Sequence, residues 1–208
     1  METADQIAKN IESGDLIFFT GTVFTSFVTQ LADGGTSHVG MAHRIGNDVY
    51  IMHSVSSHSM GGRNNFAGVQ MTNLKLMWDV QMYKRLDIYR LNLTQKQYEI
   101  CKHEFLSLFG TPYDKNPVYS WLRQLRHKKS MNCIHLVLHL LEACKANKKQ
   151  FSLRLAHLKT QGTFIKSFQK PVSVNFITAF TCQSNRTATK DEIASGKSTA
   201  RILLGVSE

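Results

Sequence analysis

Residues 37–54 read SHVGMAHRIGNDVYIMHS, and the register of this stretch decides the fold. Two apolar-rich runs, residues 37–45 and 49–55, flank Gly46-Asn47-Asp48, a strong turn signal, so the stretch predicts a β-hairpin. In a two-residue hairpin centred on Gly46-Asn47, Gly40 faces His53 and His38 faces Val55. His38 and His53 then share a sheet face as diagonal neighbours, about 5–8 Å apart at Cβ. A three-residue turn would instead send them to opposite faces.

Working outward, residues 7–13 read as a short helix, 16–19 as a strand and 24–31 as a second short helix closed by Asp33-Gly34-Gly35. Residues 56–65, SSHSMGGRNN, form a loop. Residues 68–72 and 86–91 follow as strands. Thr94 caps a helix with Gln97 as its capping-box partner, and Gly110 closes it after an apolar stripe of Tyr98, Cys101, Phe105 and Leu108. A loop covers 111–117, a helical turn 119–125, and Ser130 caps a helix from Met131 to about Asn147. A β-rich stretch lies at 171–181, and the last twenty residues read as a loose polar tail. Strands ahead of two helices, then a further strand, predict an α+β domain over 1–150. Residues 151–208 read as a C-terminal extension of the same domain.

A chain of 208 residues holds one well-buried domain. No segment is long and apolar enough to span a bilayer, and no signal-peptide pattern is visible. Four scattered cysteines, at 101, 133, 144 and 182, fit reduced thiols in a cytoplasmic protein rather than a disulfide framework. The net charge of +10 is uneven: residues 1–82 carry four basic and seven acidic residues, 83–208 carry 21 and eight. Within 123–170, eleven basic residues meet one acid, Glu142. That segment suits phosphate-bearing partners, an anionic membrane surface above all, or serves solubility alone. It carries no RRM, KH or zinc-knuckle signature, so nucleic acid is not expected.

The remaining chemistry centres on MNCIHLV, residues 131–137. Cys133 falls in the first turn of its helix, where free N–H groups and the positive end of the macrodipole favour a thiolate. It points to the apolar side, where cysteine is more often a small core residue. His135 and His139 stand four apart on the same helix. The glutamate of HExxH is missing, so no metal is expected there. His43 and His58 have no evident partner.

The succession GDLIFF, SHVGMAHRIGNDVYIMHS, LFGTPYD and MNCIHLVLHLL resembles the circularly permuted branch of the NlpC-type papain-like superfamily. That branch includes YiiX/YaeF-like proteins, poxviral relatives and the lecithin–retinol acyltransferase group. The resemblance covers residues 14–145 and implies a small antiparallel β-sheet or barrel packed against the cysteine helix. It implies a thiol hydrolase or acyltransferase without cofactor, cleaving an amide or ester of a lipid- or peptide-type substrate through a thioester. Cys133 would be the nucleophile, His38 the base, His53 the residue orienting it, and Tyr113 a substrate-pocket residue. Asn132 and Ile134 depart from the aromatic and serine that flank the cysteine in many relatives. The rival reading is a non-catalytic module that binds anionic lipid or nucleic acid through residues 123–170.

Overall fold

The computed structural model describes residues 4–21, 38–55, 66–79, 83–113, 130–146, 172–175 and 188–207. The predicted helix at 24–31, the loop at 56–65, His58, the turn at 119–125 and most of the basic 123–170 segment lie outside them. In chain order the elements are α1 (Ala4–Ala8), β1 (Leu16–Gly21), β2 (His38–Ile45), β3 (Asp48–Val55), β4 (Gly68–Asn73), α2 (Leu74–Asp79), β5 (Tyr83–Tyr89), α3 (Gln95–Leu108), α4 (Cys133–Ala143), β6 (Val172–Asn175) and α5 (Lys190–Leu204). The chain is therefore α+β, built on a six-stranded antiparallel sheet in the order β4-β3-β2-β1-β5-β6.

The hairpin has the two-residue register: Met41 pairs with Met52 and Ile45 with Asp48. Both faces of β2 and β3 are covered, so neither strand alternates between buried and exposed. Leu16, Phe18, Val39, Met41 and Met52 project to one face, against the apolar sides of α3, α4 and α5. Ile17, Phe19, Ala42, Ile51 and Val55 project to the other, against Ile7 and Ile11 from the first turns of the chain and Leu74 and Met77 of α2. Alternate side chains of a strand point to opposite faces, and these two apolar cores follow that rule.

Five local features differ from expectation. The first helix is Ala4–Ala8, ahead of the predicted 7–13. The strand expected at 86–91 runs Tyr83–Tyr89, and α2 had not been anticipated. The cap of the cysteine helix is Asn132, not Ser130: its Oδ1 accepts the His135 N–H at 2.9 Å. Finally, the polar tail contains a 15-residue helix, α5, with a Thr189–Glu192 capping box. α5 faces the protein with Gly196, Ala200 and Leu204, spaced by four, so its buried stripe is apolar but made mostly of small residues. The expected cap at Thr94 does hold, with Gln97 completing the box.

The C-terminal end of α5 is received by polar groups. His43 Nε2 lies 3.0 Å from the Leu203 carbonyl, and Lys102 Nζ donates to the Leu204 carbonyl at 2.9 Å. These groups meet the negative end of the helix dipole and its terminal carbonyls. Lys102 is also paired with Glu99 at 2.7 Å, which balances its buried charge. His43 Nδ1 contacts the Tyr98 hydroxyl at 2.5 Å, and burial lowers its basicity although the Leu203 bond opposes this.

Candidate active site

The two-residue register carries His38 and His53 to the same face, and the side chains meet. His38 Nε2 stands 3.0 Å from His53 Nδ1, and His53 Nε2 stands 3.0 Å from Thr72 Oγ1 on β4. Gly40, on β2 opposite His53, permits this approach: a Cβ there would lie 2.4 Å from Ile51 Cγ2 and 3.1 Å from His53 Cβ. The His38 ring also packs 5.7 Å from Phe19, its neighbour on β1.

Both imidazoles are buried, His53 completely. Burial pulls His38 down to about 3, and His53 well below its ordinary value, with His38 as a second, smaller cause. Both rings are thus neutral near pH 7, and a neutral imidazole has one N–H and one lone pair. If His53 Nε2 donates to Thr72, its Nδ1 must accept from His38 Nε2–H. His38 Nδ1 is then the lone-pair nitrogen. The opposite tautomers reverse every bond in the chain, and the Thr72 hydroxyl, which can donate or accept, completes either set. Thr72 escaped the sequence reading. Its signal was the alternation in GVQMTN, where Gln70 and Thr72 put polar groups on one strand face.

Cys133 is the first residue of α4 and is 6% exposed. Three bonds hold the start of this helix. Asn132 caps it, the Met131 N–H donates to the Pro112 carbonyl at 2.9 Å, and the Ser54 hydroxyl donates to the Met131 carbonyl at 2.6 Å. Pro112 is in turn bridged to Gly68 at the start of β4. Tyr113, half-buried, follows directly on Pro112 and so belongs to the loop that braces the helix start. Replacing Asn132 by alanine is expected to cost about 1 kcal/mol through the lost cap. A urea midpoint that does not move would show that the tertiary bonds of Met131 alone fix the helix start.

The imidazole pair and the thiol occupy the same end of the β2–β3 hairpin but different faces. Ser54 and Met52 lie on the face of α4, whereas His53 and His38 lie with Ile51 and Phe19 on the other. Of the histidines on α4, His139 is engaged elsewhere, its Nε2 pairing with Glu104 of α3 at 2.6 Å, both side chains 27% exposed. Among the described residues no group of three or more His, Cys, Asp or Glu side chains is gathered as a metal would need. Among them, too, no helix is long and apolar enough to cross a membrane.

No family model matches the chain, and no curated protein does. Among solved structures it is similar to the metalloprotein yiiX of Escherichia coli O157:H7, at 20% identity over 79% of this chain and 88% of that chain, with a TM-score of 0.48.

Proposed function

We propose that the chain is a cysteine-dependent acyl hydrolase or acyltransferase of permuted papain-like type, with Cys133 as nucleophile and His38 as base. The observation that carries this reading is the hydrogen-bonded chain His38–His53–Thr72 at the hairpin end to which Ser54 fastens the start of the cysteine helix. Because the rings and the thiol leave the strands on different faces, the reading requires them to meet past the strand ends. His38 is the first residue of its strand and Cys133 the first of its helix.

An imidazole lowered to about 3 does not hold a proton at neutral pH, so His38 is the neutral, proton-accepting form of the ring. The thiol proton passes to His38 Nδ1 as the sulfur attacks the carbonyl of an ester or amide. The backbone N–H of Cys133, at the positive end of its helix, serves the developing oxyanion. Collapse of the tetrahedral species expels the alcohol or amine, which leaves with the proton from His38. Water or a second nucleophile then resolves the thioester. Lipid- and peptide-type acyl donors both suit this chemistry.

The test is acylation by a p-nitrophenyl ester, read as an acyl adduct in intact and peptide mass spectra. Cys133 is expected to carry the adduct, and His38→Ala to slow its formation by about 10²–10⁴, the ordinary worth of a general base. Adducts spread over surface residues, or a Cys133 rate indifferent to His38, would sink the reading.

A further inference from the structure

Two cysteines outside the proposed site lie against each other. Cys101 is on α3 and Cys144 is the C-cap of α4, and both are buried, at 0% and 3% exposure. One carbonyl oxygen, that of Leu140, takes the Cys144 N–H at 3.1 Å and the Cys101 thiol at 3.5 Å. The sulfur of Cys101 is thereby set against the backbone of Cys144. The Cys144 thiol donates to the Leu141 carbonyl at 3.3 Å, and the two cysteine side chains are near enough to shift each other's titration.

We propose that Cys101 and Cys144 are a modification site, a dithiol that a hydroperoxide oxidises to a disulfide joining α3 to the end of α4. Cys144 reacts first. Its sulfur attacks the peroxide oxygen, the O–O bond breaks, and one water or alcohol leaves with the sulfenic acid formed on Cys144. The Cys101 thiol then displaces hydroxide from that sulfenic acid, which departs as water. The protein loses two hydrogens and two electrons, and the peroxide is reduced by two electrons.

Two features support the order. The two neighbouring thiols shift each other, Cys144 down and Cys101 up, so the first thiolate falls to Cys144. Cys144 also lies where α4 ends, followed by Lys145 in the left-handed region at φ 54°, and a helix end opens before its middle does. Opening of that last turn admits a small oxidant to Cys144 while Cys101, in mid-helix, stays covered.

The site is independent of the proposed catalytic thiol, and the experiment keeps the two apart. Trypsin leaves Cys133 and Cys144 on one peptide, residues 130–145, so Cys133→Ala is compared with the wild type. Both full-length proteins are treated with hydrogen peroxide, blocked with iodoacetamide and digested. In both, peptide 97–102 is expected to appear linked to peptide 130–145, with a loss of about 2 Da that a thiol reductant reverses. The linked form is expected to melt several degrees higher. Oxidation of Cys144 to the sulfinic acid without linkage, or two thiols still reduced in a folded protein whose surface methionines are oxidised, would overturn the proposal. A link present in the wild type and lost in Cys133→Ala would overturn it equally, since Cys133 would then be one of its ends.

Discussion

Stability measured by urea unfolding is expected to fall steeply as the pH is lowered from about 6.5, by about 1.4 kcal/mol per pH unit for each buried imidazole. The sign follows from the direction of the shifts. His38 is lowered to about 3 in the folded protein, and His53 is lowered well below its usual value. Below about pH 6.5 the unfolded chain takes up protons that the folded chain refuses, so acid favours unfolding. The stability is fully present above that pH and is lost progressively toward pH 3. His38 alone accounts for something on the order of 5 kcal/mol across the window, comparable with the whole stability of an ordinary domain. His53 adds to it in the same direction, and so does His43. The window from about pH 5 to 6.5 isolates the effect, because ordinary carboxylates are ionised in both states there. A variant with His38→Gln and His53→Gln is expected to be weaker at pH 7 but to lose most of the slope. A wild-type profile flat between pH 7 and 5 would mean that the ring pair is open to protons.

Gly68→Ala is expected to be the costliest small substitution near the site, at about 2–4 kcal/mol, combining backbone strain with overpacking. Gly68 has φ 148°, a value that L residues rarely adopt, and a Cβ there would lie 2.4 Å from the Thr111 carbonyl oxygen. The obstruction is main chain, which cannot swing aside as a flexible side chain would. The same contact links β4 to the loop whose Pro112 carbonyl holds the Met131 N–H. The substitution is therefore expected to lower Cys133 acylation as well as the urea midpoint. A stable variant with a wild-type rate would show that the brace from Gly68 through Pro112 to Met131 does not set the helix start.

Much of this was legible in the sequence because the signals were local. Gly46-Asn47 between two apolar runs sets the hairpin register, and the register alone brings His38 to His53. Thr94 and Gln97 announce α3 in the same way. What covers each sheet face was not legible. β2 and β3 are buried on both sides, so polarity does not alternate, and nothing in either strand says which face receives the cysteine helix. Between Ser130 and Asn132, both good caps, long-range bonds decide: Met131 is held between Pro112 and Ser54, and the helix begins only beyond it. α5 was hidden by its small stripe of Gly196 and Ala200, although Thr189, Glu192 and Gly205 mark its ends. His43 was out of reach for another reason, since its partners, Tyr98 and the Leu203 carbonyl, lie 55 and 160 residues along the chain.

The placement of the hairpin also orders events in time. The β2–β3–β4 meander, which contains His38, His53 and Thr72, is assembled from consecutive strands. The start of the cysteine helix joins it only through contacts such as Ser54 to Met131, 77 residues apart. Closing long loops costs more chain entropy than closing short ones, and non-local contacts form more slowly. The imidazole pair is thus expected to form by early, neighbouring closures, and the thiol to reach that end of the sheet in a later one.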